Sequence, residues 1–240
     1  MTPVTDEHRA ALQLILIPGI GPRHYRLLVG HFQSAIGVLD ASEKELRSVP
    51  GLGTKLRQAL SHHQQAEAAE QIIRCCQQEQ VEILLSTDEA YPALLNEIYD
   101  PPGILFCRGP LKPPDALSIA IVGMRRPSHY GLRIAYRLAE ELSRAGFTIV
   151  SGLARGIDAA AHRGALSAGG RTLAVLGSGV LNTYPQEHRE LAESITAQGT
   201  VLSEFPPLSP PTRGAFPQRN RLISGLSLGV IVVEAASRSG

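Results

Sequence analysis

Residues 119–131 read IAIVGMRRPSHYG, a stretch that begins as a strand and turns at a glycine. The apolar run 119–122 is typical of a buried strand, and Gly123 stands where a phosphate-binding turn has its first glycine. A dinucleotide fold continues from there as G-x-G-x-x-G, whereas this chain continues with Arg125, Arg126 and Pro127. The stretch therefore has the start of a nucleotide-binding turn, with two guanidinium groups in place of its later glycines.

Strands and helices alternate along the chain around this turn. The predicted strands are 118–122, 147–150, 172–176, 200–203 and 229–233, and the predicted helices are 130–145, 157–168 and 187–197. Because the strands are continuously apolar, they predict a parallel sheet covered by helices on both faces. The predicted fold class is α/β, with a Rossmann-like, doubly wound and mostly parallel sheet. A further helix normally follows the last strand of such a sheet, so we expect this domain to be cut short at its C-terminus.

The first third of the chain is predicted to be helical, at 5–17, 22–31 and in a long polar helix that ends near residue 79. Two Pro-Gly-x-Gly turns, at 18–21 and 50–53, each precede a helix and form a weak repeat. They resemble helix-hairpin-helix modules, whose hairpin amides contact nucleic-acid phosphates. Protein interaction and simple interhelical packing are the alternatives for such turns.

These patterns divide the chain into two predicted domains. Residues 1–78 are predicted to form a small all-α domain of the helix-hairpin-helix or SAM-like type, and residues 79–240 a Rossmann-like domain. The prolines of LKPPD also predict a linker or boundary near 110–117.

Composition excludes several classes of protein. Hydrophobic residues make up 43% and charged residues 19% of the 240 positions, which is ordinary for a globular domain. No apolar run reaches the roughly 18 residues that a membrane helix needs, and the N-terminus lacks the features of a secretory signal. Three cysteines, two of them adjacent, fit neither a disulfide framework nor a metal site. We therefore expect a cytoplasmic protein with no membrane contact, no metal and no cofactor.

Arginine-rich segments follow the predicted strands. The stretches 121–137 and 205–227 hold four and three arginines respectively and no acidic residue. In open α/β sheets, ligands bind beyond the carboxyl ends of the strands. Arginines on separate loops there, together with backbone N–H groups at helix N-termini, predict a pocket for several phosphates, as a polynucleotide supplies. The alternatives are that the arginines solvate helix ends, or reflect a GC-rich genome.

Two polar positions near this edge have more than one interpretation. Asn220, between Arg219 and Arg221, is predicted to cap a helix while both guanidinium groups face outward. Asp158 is interpreted as a first-turn residue favoured by the helix dipole, as a holder of a neighbouring arginine, or as a ribose acceptor.

Patterns that indicate an enzyme are weak. The chain lacks G-x-S-x-G and the G-x-x-x-x-G-K-[ST] phosphate loop, and no pair of carboxylates has a spacing that suits acid–base catalysis. We expect no catalytic residue. The alternative functions are a Rossmann-type nucleoside-phosphate phosphoribohydrolase-like enzyme, for which Glu234 is the candidate catalytic glutamate, and a protein-interaction scaffold.

Several longer motifs occur in a fixed order: IAIVGMRRPSHYG, VSGLARGIDAAAHRGAL, TLAVLGSGVLNTYPQEHREL, LSEFPP, FPQRNRLISGLS and a final GVIVVEAASRSG. In this order they resemble the DNA-processing protein A (DprA/Smf) family, strongly over residues 80–240 and loosely over 1–75. Family members continue beyond the last motif with parts associated with the dimer and RecA-contact surfaces. Dimerisation and RecA loading by these 240 residues therefore stay open at this point.

The resemblance implies a non-enzymatic, cytoplasmic, dimerising protein that protects incoming single-stranded DNA and loads the RecA recombinase in natural transformation and DNA recombination. It also implies a set of DNA-binding residues: Gly123, Arg125, Arg126, Ser151, Gly152, Arg155, Gly156, Phe216, Arg219, Asn220 and Arg221. Among these, Arg125 is similar to an arginine that grips backbone phosphate, and Phe216 is placed against a base. Arginines in place of glycines suit a phosphate chain better than a pyrophosphate held against bare backbone.

Overall fold

A computed structural model describes residues 3–62 and 64–235 of the chain. Within those ranges, the helices that precede the sheet are α1 Asp6–Leu16, α2 Pro22–Phe32, α3 Ala35–Leu39, α4 Glu43–Ser48, α5 Thr54–Ser61 and α6 Ala66–Gln78. Capping boxes at Thr5 and Ser42 satisfy free backbone N–H groups and set the first residues of α1 and α4. The long helix predicted to end near residue 79 is instead two helices, α5 and α6. The break between them was missed because the polar residues there give no change in the apolar pattern.

A mixed sheet follows the helices. Its strands are β1 Glu82–Leu85, β2 Ile104–Arg108, β3 Ser118–Gly123, β4 Thr148–Ser151, β5 Thr172–Val175, β6 Thr200–Ser203 and β7 Gly229–Val233, in the order β1-β2-β6-β5-β4-β3-β7. The neighbours from β6 to β7 pair in parallel, whereas β2 is antiparallel to both β1 and β6. The prediction of a Rossmann-like, mostly parallel sheet after a helical domain is confirmed.

Helices cover both faces of this sheet. They are α7 Ala93–Asn96, α8 His129–Arg144, α9 Ile157–Ser167, α10 Arg189–Gln198 and α11 Ala215–Gly225, with 3₁₀ turns at Pro113–Ala116 and Gln186–His188. The alternation of strand side chains divides the core. On β2, Leu105 packs in a cluster with Leu222 of α11, whereas Phe106 packs in the cluster that also contains Leu12 of α1. The helical part of the chain is therefore continuous with one face of the sheet.

Two features differ from the sequence-based expectations. Strand β2 pairs with β6, so the segment 110–117 connects two strands of one sheet and the boundary predicted there is wrong. Residues 215–225 form α11, whose Pro217 lies in the first turn, where a missing N–H is tolerated. The division at 78/79 stays a prediction. The final part of the motif GVIVVEAASRSG, residues 236–240, lies outside the described residues.

In the described ranges, every helix is too short or too polar to cross a bilayer.

Candidate functional site

A groove of about 620 Å³ lies between α11 and the carboxyl ends of β3 and β7. Its walls combine guanidinium groups with apolar side chains, among them Val122, Ile223, Val230 and Val232. Five of the predicted site residues, from two distant segments of the chain, line it: Gly123, Arg125, Arg219, Asn220 and Arg221. Six others are outside the described lining: Arg126, Ser151, Gly152, Arg155, Gly156 and Phe216.

Arg219 is a buried support of the groove, with 4% of its surface exposed. Its Nη1 donates to the carbonyl oxygens of Gly152, at 2.7 Å, and of Val175. Burial lowers the pKa of Arg219 to about 10, so the guanidinium remains charged at neutral pH. The prediction that Asn220 caps a helix and both arginines face outward is therefore wrong. Asn220 lies in the middle of α11, which begins at Ala215, and Arg219 points into the protein.

The loop after β4 has its backbone groups bonded internally. Asp158 of α9 accepts hydrogen bonds from the N–H groups of Gly152, at 3.2 Å, and Ala154, at 3.3 Å. Leu153 has φ +55, which is uncommon for a side chain of this size. Its N–H donates to Nε2 of His162, and its carbonyl oxygen accepts from Nδ1 of His188. The N–H groups of Gly152, Leu153 and Ala154 therefore already have acceptors inside the protein.

Asp158 has one of its proposed roles, that of a first-turn residue, and a second role that the sequence did not indicate. It stands in the first turn of α9 while its carboxylate holds the preceding loop. Burial raises the pKa of Asp158, and the nearby charge of Arg219 opposes that rise. Ser151 is likewise internal, because its hydroxyl donates to the carbonyl oxygen of Ile121 at 2.6 Å.

His162 is fully buried and neutral. Its Nε2 accepts from a backbone N–H, so the proton resides on Nδ1, which donates to Thr172 Oγ1 at 2.7 Å. Burial, followed by the charges of His188, Arg219 and Arg163, lowers the pKa of His162 to about 3.

In the unfolded chain, His162 therefore binds a proton below about pH 6.5, whereas in the folded protein it does so only below about pH 3. The stabilisation is complete above pH 6.5 and is lost as the pH falls. We expect the free energy of unfolding of the wild type to fall by about 1 kcal/mol more than that of His162→Gln between pH 7.5 and 5.5. Urea unfolding at both pH values measures this difference, and equal losses in the two proteins would contradict it.

Two arginines are paired with carboxylates that sequence reasoning did not select. Arg155 is exposed and makes two hydrogen bonds to Glu187, which stands 32 positions later. Arg221 pairs with Glu204, whose side chain is only 6% exposed. Burial raises the pKa of Glu204 although Arg221 opposes the rise, and Oε1 of Glu204 and Nη1 of Arg221 are buried without a hydrogen-bond partner in the described part of the chain. The segment 205–227 contains no acidic residue, yet its Arg221 has a carboxylate partner in the folded protein.

The loop after β3, here called the first loop, supplies positive charge that has no carboxylate partner within residues 3–62 and 64–235. Arg125 and Arg126 are both exposed, and neither contacts a carboxylate among the described residues. The Arg125 guanidinium lies 5.4 Å from the centroid of the Phe216 ring, a cation–π geometry. Phe216 therefore joins the first loop to α11 although it lies outside the groove.

Glu234 lines the groove, and its carboxylate holds Ser128, the residue before α8. Its carboxylate accepts from the N–H of Ser128, at 2.8 Å, and from the Ser128 hydroxyl, and these bonds lower its pKa. Both carboxylate oxygens of Glu234 are therefore already engaged by Ser128. Among the described residues, no three His, Cys, Asp or Glu side chains are arranged to hold a metal ion.

Comparison with known proteins adds to this geometry. Residues 82–240 match the family model described as DNA recombination-mediator protein A, and residues 11–60 match that of the SAM-like helix-hairpin-helix tandem. Protein Smf of Synechocystis sp. (strain ATCC 27184 / PCC 6803 / Kazusa) is 40% identical over 228 residues, which cover 93% of this chain and 57% of that protein.

Two solved structures are similar as well. The X-ray structure of DNA processing protein A from Streptococcus pneumoniae has a TM-score of 0.80 at 30% identity and covers 99% of this chain and 81% of that one. DNA processing protein A from Helicobacter pylori, whose structure is described for its single-stranded DNA binding mode, has a TM-score of 0.61 at 35% identity over 67% of this chain and 72% of that one. The chain spans about half the length of the curated relatives it matches.

Proposed function

The chain belongs to the DNA recombination-mediator protein A family, and from that premise we propose that it binds single-stranded DNA in recombination and natural transformation. The finer proposal is that it protects incoming strands, loads the RecA recombinase and acts as a homodimer in the cytoplasm, without catalysis. RecA loading and dimerisation rest on the resemblance alone. DNA binding also rests on the groove described above.

The convergence of arginines at one sheet edge carries the proposal. Arg125, Arg219 and Arg221 come from two distant segments and line one groove at the carboxyl ends of parallel strands. Arg125 and Arg126 are exposed and free of carboxylate partners among the described residues, so they supply the charge for backbone phosphates. Arg219 contributes indirectly, because it holds the loop after β4 in place. This arrangement supports a phosphate chain as ligand more than a single nucleotide.

The enzyme alternative has less support. Its candidate catalytic residue, Glu234, is held by Ser128 at the start of α8. Incubation with nucleoside monophosphates tests that alternative directly, since release of free base would favour it.

Arg125→Ala is expected to weaken single-strand binding by roughly tenfold and to make the salt dependence shallower by about 0.7 in log–log slope, the value for one phosphate on a single strand. The cation–π contact with Phe216 is lost at the same time. Fluorescence anisotropy with an oligodeoxythymidine, repeated at several salt concentrations, measures both quantities.

The matched control for this prediction is Arg144→Ala. Arg144 is an exposed arginine at the other end of α8, where it pairs with Glu140. It should leave affinity and slope unchanged. If Arg125→Ala also leaves both unchanged, the groove is not the DNA site.

A further inference from the structure

Two aromatic side chains lie side by side next to the groove. Tyr184, in the loop after β5, is 43% exposed, and its ring centroid lies 5.6 Å from that of Phe216 at an interplanar angle of 50°. Phe216 rests on Gly177, where a Cβ would stand 2.9 Å from the Phe216 ring. Glycine at that position therefore lets the ring lie close against the backbone, and the two rings form an aromatic shelf, Tyr184–Phe216.

Each ring of this shelf has a guanidinium group beside it. Arg125 lies over the Phe216 ring at 5.4 Å from its centroid. Arg155 interacts with Tyr184: the two hydrogen bonds of Glu187, followed by the Tyr184 phenol, raise the pKa of Arg155. Arg125 thus contacts Phe216, Phe216 contacts Tyr184, and Tyr184 interacts with Arg155.

Aromatic rings next to guanidinium groups match the chemistry of single-stranded DNA. Base faces stack on aromatic rings, and the phosphates on either side of a base are drawn to guanidinium groups. In a duplex, each base is already stacked and paired, so an aromatic ring on the protein surface has no base face to contact.

We propose that Tyr184 is a nucleobase-contacting residue, and that the aromatic shelf holds one unpaired base while Arg125 and Arg155 face the phosphates on its two sides. The proposal rests on the proposed function, because it concerns how the same strand is bound. For Arg155, it requires a phosphate to compete with Glu187 for the guanidinium. Tyr184 thereby becomes a determinant of the preference for single strands over duplex.

The test compares an oligodeoxythymidine with an abasic oligonucleotide of the same length, whose phosphates are intact. Wild-type protein should prefer the thymidine strand. Tyr184→Leu, which keeps an apolar side chain against Phe216, should lose roughly 5- to 100-fold in affinity for the thymidine strand and far less for the abasic strand. Its salt slope should stay that of the wild type, because stacking releases no counterions. Tyr184→Phe should behave like the wild type.

Direct contact is read by fluorescence. The chain has no tryptophan, so Tyr184→Trp introduces a single reporter. Its emission should be quenched by the thymidine strand and not by the abasic strand. Tyr99→Trp is the control, since Tyr99 is 83% exposed and does not line the groove.

The outcomes separate the two proposals. If the wild type binds neither strand, the proposed function fails. If it binds the thymidine strand while Tyr184→Leu weakens both strands equally, or neither, and Tyr184→Trp shows no quenching, the role of Tyr184 is refuted and DNA binding stands.

Discussion

Arg219→Ala is expected to lower the free energy of unfolding by about 3 kcal/mol and to remove most single-strand binding. The substitution leaves the carbonyl oxygens of Gly152 and Val175 without their buried donor, and each such loss of a charged hydrogen bond is costly. It also leaves the buried carboxylate of Asp158 without its nearby positive charge. Urea unfolding measures the stability, and anisotropy measures the binding.

The control for Arg219→Ala is Arg213→Ala, ahead of α11. Arg213 is exposed, so its loss should change stability by no more than about 0.5 kcal/mol. Binding is measured at a temperature where both variants remain folded. An Arg219→Ala protein as stable as the Arg213→Ala protein would show that the buried guanidinium does not support the loop.

Gly156→Ala is expected to lower the free energy of unfolding by about 3 kcal/mol and to disturb two loops at once. Gly156 has φ +80 and ψ −122, a conformation that only glycine adopts readily. An added Cβ would also collide with the carbonyl oxygen of Met124 and lie 2.8 Å from Cδ of Pro127, so the first loop must shift. Single-strand affinity should fall with it, because that loop carries Arg125.

Gly169→Ala separates the two causes. Gly169 has φ +69 but no atom within 4 Å of an added Cβ, so it bears the conformational cost alone, about 1 kcal/mol. Affinity for DNA should not change in this variant. Equal stability losses in the two variants would mean that the contact between Gly156 and the first loop contributes nothing.

The parallel part of the fold could be predicted because its strands are continuous apolar runs at regular spacing. Strand β2 was missed because its five residues lie between Pro101–Pro102 and Gly109, in a stretch that favours turns. Helix α11 was missed because Pro217 and the polar residues after it hide the helical spacing of its apolar residues. Once 215–225 is taken as a helix, the buried positions Ala215, Arg219, Leu222 and Ile223 form one stripe, and that stripe would have placed Arg219 inside.

The site could be predicted only in part. The rule for the carboxyl ends of strands indicated the edge where Arg125, Arg219 and Arg221 line one groove, but not that Arg219 is buried there. The carboxylate partners of Arg155 and Arg221 could not be predicted, since Glu187 and Glu204 lie 32 and 17 positions away and meet them only through the tertiary fold. The DNA-binding roles of the site residues stay predictions.

The internally bonded loop after β4 has a consequence for the kinetics of association. Since Asp158, His162, His188 and Arg219 already hold its backbone, this loop has almost no conformational freedom left to lose when a strand arrives. The protein therefore loses little conformational entropy when it binds a strand. The on-rate should accordingly follow diffusion and electrostatic attraction, with most of the immobilisation falling on the flexible nucleic acid.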